Sequence, residues 1–233
     1  MRGLLVVLVI VLAGWSARAH DLWLEKDSGE LRLQYGHKHS GHQGASFVEY
    51  QRNWVREALC FDATGARIPF QLEEAYPFRM RGDCALAHVP ISSGYWTKTP
   101  YGTENVPKDE ARMPVKSWLS HDSVKRIDHW SEPLAKPLAA GLELTPLEDP
   151  LRLHKGEKLH LRVTFDGNPV EDADVAYDGR PRGRSGPDGA INIRLRHGGF
   201  QVIQASLTRA LVSEKADEVI HSTHLNFELP EEP

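Results

Sequence analysis

Four histidines near the start of the chain have the residue type and spacing that bind transition metals. His37 and His39 are two residues apart, so on a strand their side chains share a face, together with Tyr35. His42 follows after a Ser-Gly turn, and His20 lies further upstream. Neutral imidazoles are nitrogen ligands that Ni²⁺, Co²⁺ and Cu²⁺ favour. The four histidines are therefore the predicted metal ligands. The alternative for His37, His39 and His42 is an exposed histidine-rich loop with adventitious metal affinity.

The chemistry of His20 depends on a cleavage predicted directly before it. Residues 1–19 combine a basic start, an apolar core and the small-x-small end Ala17-Arg18-Ala19, which is the pattern of a secretory signal peptide. Its removal makes His20 the first residue, and the free α-amine and imidazole Nδ1 then chelate one ion together. The alternative is an arbitrary first residue that frays in solvent. Leu22 and Leu24 argue against fraying, because they begin a strand immediately.

Charge and hydropathy exclude some partners. The formal net charge is −4, whereas a nucleic-acid-binding protein favours a concentrated basic face. After the signal peptide no stretch approaches the roughly 20 apolar residues of a membrane span, so no membrane insertion is predicted. The predicted location is the periplasm. Disulfides persist there, and Cys60 and Cys84 are predicted to form one, with a thiolate metal site as the alternative.

Period-two alternation predicts an all-β protein. Short alternating segments fill residues 20–141, which we assign to an N-terminal β-rich, metal-binding domain. An extended, proline-containing linker begins the second region, residues 142–233, where regularly spaced strands and Gly/Pro/Asp turns predict a β-sandwich. Only the segment Val115–Ile127 is predicted as a short helix.

The remaining histidines give weaker signals. His221 and His224 are three apart on a predicted strand, so their side chains point to opposite faces. His221 is predicted to lie in the core and His224 on the surface, while His88 is a candidate additional ligand. The sequence contains no nucleophile elbow, zinc-protease, phosphate-loop or dinucleotide motif, so it does not predict an enzyme.

Several segments resemble an exported domain-of-unknown-function family that includes periplasmic components of nickel and cobalt uptake systems. These segments are residues 20–25 (HDLWLE), Gly36-His37, residues 94–100 (GYWTKTP), residues 142–156 and the turn-strand pattern from Asp188-Gly189 to Gly199-Phe200. The resemblance implies a secreted all-β protein whose C-terminal part is an immunoglobulin- or prealbumin-like sandwich, so the predicted fold class is all-β with two β-sandwich domains. It also implies metal capture in the periplasm and delivery to a membrane uptake transporter. His20 and His37 match recurrent histidines of that family.

The sequence thus leaves three functions to compare. The first is a periplasmic carrier that binds Ni²⁺ or Co²⁺ as cargo through His20, His37, His39 and His42. The second is a copper protein with an N-terminal histidine brace, either a carrier or a copper-dependent oxygenase, because Cu²⁺ stands highest in the affinity order for such ligands. The third is an envelope β-sandwich module that binds no metal.

Overall fold

The computed structural model describes residues 20–38 and 47–231, which form sixteen β-strands and three single-turn 3-10 segments. The predicted all-β, β-sandwich fold class is therefore confirmed. The predicted signal peptide lies outside the described residues. The strands are β1 (Asp21–Asp27), β2 (Glu30–Gly36), β3 (Leu59–Phe61), β4 (Gln71–Glu73), β5 (Arg79–Arg81), β6 (Leu86–Thr99), β7 (Gly102–Glu104), β8 (Lys116–Ile127), β9 (Leu142–Pro146), β10 (Lys158–Phe165), β11 (Asn168–Pro169), β12 (Asp174–Tyr177), β13 (Arg180–Arg184), β14 (Ala190–Arg194), β15 (Gly199–Ala210) and β16 (Glu218–Leu229). The 3-10 segments are Arg52–Trp54, Glu132–Leu134 and Pro150–Arg152.

The strands form three sheets. The first has the order β1-β2-β5-β4. The central sheet has eight strands in the order β13-β12-β15-β16-β8-β6-β3, with β7 paired to β6. The third has the order β11-β10-β14, with β9 paired to β10. Across the described ranges, no helix has both the length and the apolar character needed to cross a membrane.

Two apolar cores lie on opposite faces of the central sheet. Between it and the first sheet, Leu22 and Leu24 of β1 pack in one buried cluster with Val89 and Val124. On the other side, the third sheet and the central sheet share a second buried cluster. Its most buried members include Leu144, Leu161, Val163, Ile193, Leu225 and Phe227. The middle strands of the central sheet are consequently covered on both faces, and β1 is held against them.

The helix predicted over Val115–Ile127 is wrong, because this segment forms the long strand β8. β8 pairs antiparallel with β6 and parallel with β16, from Trp118 opposite Glu218 to Arg126 opposite Asn226. One sheet therefore contains strands from both sides of residue 141. The domain boundary at residues 141 and 142 stays a prediction from the sequence.

Cys60 and Cys84 form a disulfide, with their Cα atoms 5.2 Å apart. Cys60 lies on β3, and Cys84 lies just before β6, which is the neighbour of β3 in the central sheet. Both belong to the core between the first and central sheets. The disulfide interpretation therefore holds, and the alternative of a thiolate site does not.

Candidate metal centre

The hairpin of β1 and β2 brings His20 and His37 together. Its register places Asp21 opposite Gly36 and Asp27 opposite Glu30, so His20 and His37 directly flank the open end of the hairpin. The turn at the other end is Ser28-Gly29, where both residues have positive φ, of 49° and 82°. Positive φ at both central residues is typical of the two-residue hairpin turn whose backbone twist matches the right-handed twist of the two strands. This turn fixes the pairing register of β1 and β2. The two imidazole centroids lie 4.7 Å apart.

Tyr35 contacts the nitrogen of His20 that a chelate needs. Its hydroxyl lies 3.2 Å from Nδ1 of His20, and the two rings are 4.9 Å apart. Burial, and secondarily the charge of Asp122, raises the pKa of Tyr35, so its hydroxyl keeps its proton at neutral pH. The phenol can therefore donate to Nδ1, and a metal bound at this nitrogen must displace that contact.

The local environment keeps His20 neutral. Its side chain is half-buried, and burial lowers its pKa, as does the nearby imidazole of His37. The carboxylate of Asp21 acts in the opposite direction but is the smallest of the three causes. A neutral imidazole retains the lone pair that binds metal. His20 is therefore in its metal-binding protonation state at neutral pH.

Lys38 anchors the chain where it leaves the hairpin. Its backbone N–H donates to Oδ2 of Asp21 at 3.1 Å, and its ammonium forms a 3.0 Å salt bridge with Glu25. The same ammonium lies 4.6 Å from the centroid of the Phe200 ring on β15. These contacts tie the residue after His37 to both β1 and the central sheet. They limit how far His37 can move from His20.

His39 and His42 lie outside the described residues, so the structure places only two of the four predicted ligands. Within residues 20–38 and 47–231, no three His, Cys, Asp or Glu side chains are arranged to hold a metal ion. The described part of the centre is a pair of imidazoles beside a phenol. The side chains of His20 and His37 are both partly exposed, so their rings have room to rotate towards an ion.

The structure places one more histidine, His224, near the His20–His37 pair, although the sequence predicted it on the surface. Its imidazole is completely buried, and it lies near Asp21 and the backbone of His20. The opposite-face prediction for His221 and His224 is geometrically right, because β16 sends them to the third-sheet and first-sheet sides. The assignment of core and surface is reversed, since His221 is the partly exposed one. No signal within β16 alone shows that a separate sheet covers His224.

Two other histidine positions are separate from this pair. His121 and His221 stack with their centroids 5.3 Å apart, on the face of the central sheet that packs against Phe165 of β10. His88 is buried near Lys125 and Glu143 on that same face. It is therefore not an additional ligand beside His20, which lies on the other side of the sheet.

A family model described as a domain of unknown function (DUF4198) matches residues 17–209. The chain belongs to this family. No curated protein and no solved structure matches the chain. The DUF4198 match includes both His20 and His37 and ends within β15, before the strand that carries His224.

Proposed function

We propose that the protein is an exported carrier of Ni²⁺ or Co²⁺, which it binds as cargo and delivers to a membrane uptake transporter. His20 supplies its α-amine and imidazole after signal cleavage, and His37 supplies a second imidazole. His39 and His42 are the proposed donors from the adjoining segment. The protein is not proposed to be an enzyme.

The observation that carries the proposal is the 4.7 Å separation of the His20 and His37 rings. Two imidazoles and an amine form a nitrogen-rich set, which suits Co²⁺, Ni²⁺ and Cu²⁺ better than the hard cations Mg²⁺ or Ca²⁺. The strand that begins at Asp21 holds His20 at a fixed place, as a preorganised chelate requires. The nickel and cobalt preference comes from the family resemblance in the sequence.

The disulfide between Cys60 and Cys84 supports the proposed export. Such bonds persist in the periplasm and outside the cell, and they are rare in a reducing cytosol. A periplasmic location also requires signal cleavage, which creates the free amine at His20. The proposed location and the proposed ligand set therefore depend on the same processing step.

Calorimetry tests the proposal on the untagged protein that begins at His20. We expect Ni²⁺ binding to weaken at least about tenfold when a single glycine precedes His20, because the amine is then too far away to chelate with Nδ1. His37→Ala should weaken binding as well. The matched control is His154→Ala, since this histidine is 70% exposed and lies just before β10 of the third sheet, whereas the pair belongs to the first sheet. Equal affinity in the extended and native forms would refute the chelate.

The choice of metal needs a competition experiment. Cu²⁺ exceeds Ni²⁺ in intrinsic affinity for almost any nitrogen site, so binding in vitro does not identify the cargo. The informative measurement is the metal content of untagged protein isolated from the periplasm of cells supplied with all three ions. Nickel or cobalt supports the proposal, and copper favours a histidine-brace copper carrier. Metal-free protein that also fails to bind in calorimetry favours the envelope module.

A further inference from the structure

His224 has a free metal-binding nitrogen next to His20. Nδ1 of its ring lies 3.3 Å from the backbone carbonyl oxygen of Ser123 on the neighbouring strand β8. A carbonyl only accepts hydrogen bonds, so Nδ1 carries the proton and Nε2 holds a lone pair. Among the described residues Nε2 makes no hydrogen bond, although the imidazole is completely buried.

A buried acceptor without a partner is unfavourable, and such atoms in native proteins call for an unseen ligand or water. The groups near the ring are the carboxylate of Asp21 and the backbone of His20, and neither reaches hydrogen-bond geometry with Nε2. The carboxylate makes the surroundings of Nε2 favourable for a cation. Since the α-amine produced by cleavage belongs to His20 itself, the ion that it chelates would lie close to this nitrogen.

We propose that Nε2 of His224 is a ligand of the metal that His20 binds. This proposal rests on the function proposed above and adds a ligand from the central sheet. The hydrogen bond at Nδ1 supports it, because metal-binding histidines almost always donate their other ring N–H to a carbonyl or carboxylate. The ion would then bridge the hairpin and β16, with His20 rotating from Tyr35 towards His224.

His88 shows why burial alone does not make a ligand. It is also completely buried, and both of its ring nitrogens lack a hydrogen-bond partner in the described part of the chain. Its charged neighbours, however, are the carboxylate of Glu143 and the ammonium of Lys125, which form a salt bridge with each other, so that carboxylate is already paired with a cation. It also lies on the face of the central sheet opposite His20. His88 is therefore a matched control for replacing a buried histidine.

The test compares His224→Asn with His88→Asn in the protein that begins at His20. The asparagine amide can keep the N–H donated to Ser123, but it lacks Nε2 and the ring carbons bonded to it. His88→Asn removes the same atoms and so controls for the lost volume. We expect His224→Asn to lower the Ni²⁺ affinity at least about tenfold in calorimetry, and His88→Asn to leave it unchanged. Electron paramagnetic resonance with Cu²⁺ as the probe should show one fewer coordinated nitrogen in His224→Asn alone. A folded His224→Asn protein with wild-type affinity and nitrogen count would overturn the proposal.

A measurement on the unmutated protein covers the case in which His224→Asn fails to fold. In ¹⁵N-histidine-labelled protein, addition of diamagnetic Zn²⁺ should move the Nε2 resonance of His224 to the range of metal-bound imidazole. A shift at His20 without one at His224 would overturn this inference and leave the proposed function standing. A wild-type protein that binds none of these metals would refute the proposed function itself.

Discussion

At the scale of single residues, burial controls the protonation of several histidines more strongly than neighbouring charges do. It is the largest cause of the lowered pKa at His20, His88 and His221. Burial removes water from the charged imidazolium and so favours the neutral form. For His20 this favours metal binding. For the other two it makes the stability of the fold depend on pH.

His88 allows that dependence to be isolated. Burial lowers its pKa from 6.5 to about 4, with Lys125 adding to the shift and Glu143 opposing it. Between these pH values the unfolded chain binds more protons than the folded protein, so stability is complete above pH 6.5 and falls as the pH drops towards 4. A shift of this size corresponds to about 3 kcal/mol.

We expect His88→Asn to flatten the dependence of the free energy of unfolding on pH in this window. Urea unfolding of wild type and variant at pH 7.5, 6, 5 and 4 measures the difference between the two curves. The difference in free energy of unfolding between wild type and variant should change by about 3 kcal/mol from the highest to the lowest pH, because only wild type loses stability through His88. Parallel curves would mean that His88 does not titrate differently on folding.

At the scale of elements, side chains from the central sheet close the free edge of β1. Among the strands of the described residues, β1 is the edge strand of the first sheet and pairs only with β2. The N–H of Leu24 donates to Oδ1 of Asn226 at 3.1 Å, and its carbonyl accepts from Arg126 at 2.9 Å. Both polar groups of a completely buried residue are thereby satisfied. These bonds hold β1, and with it His20, against β16 and β8.

Removing one of these bonds should destabilise the fold. In Asn226→Leu the buried N–H of Leu24 loses its acceptor, and we expect the free energy of unfolding to fall by about 1–3 kcal/mol. The control is Asn192→Leu, because Asn192 is exposed on β14 and its replacement should change stability by no more than about 0.5 kcal/mol. Chemical unfolding of the two variants and of wild type measures both changes in the free energy of unfolding. Equal stabilities would show that the bond to Leu24 does not contribute.

The elements also show where sequence patterns succeed and where they fail. Leu159, Leu161 and Val163 alternate cleanly because β10 has one face in the core, and such strands are predictable. The strand β8 was not predictable in this way, because the buried charged residues Lys125 and Arg126 interrupt its alternation of apolar and polar residues. Lys125 pairs with the buried Glu143 of β9, and Arg126 binds Leu24 of β1. Their partners are distant in sequence, so the local pattern carries no sign of them.

At the scale of the whole molecule, the candidate site is assembled from different sheets, which limits what the sequence predicts. The pairing of His20 with His37 follows from one hairpin, and two neighbouring strands are enough to predict it. The position of His224 depends on the packing of the first sheet over the central one. That packing, which joins two sheets, brings His224 close to His20.

The disulfide links neighbouring strands of the central sheet and is separate from the histidines. Cross-linking residues 24 positions apart restricts the unfolded chain, so the double substitution Cys60→Ala and Cys84→Ala should lower the free energy of unfolding by about 3 kcal/mol. We expect Ni²⁺ affinity to stay unchanged, because the sulfurs are bonded to each other. Chemical unfolding and calorimetry measure the two quantities, with reduced wild type as the control. A large loss of metal binding would contradict the separation of the two features.

The sequence separation of the bonds that hold β1 leads us to expect an order of assembly for the chain. Leu24 and Asn226 are separated by 202 residues, so the strand that begins beside His20 receives this support only after β16 has taken its place. Contacts between such distant residues form late, because a large loop must close first. A fragment that ends before β16 would contain the hairpin and its histidines but not the partner that fixes them. We therefore expect tight retention of the proposed metal only in copies of the protein that have finished folding.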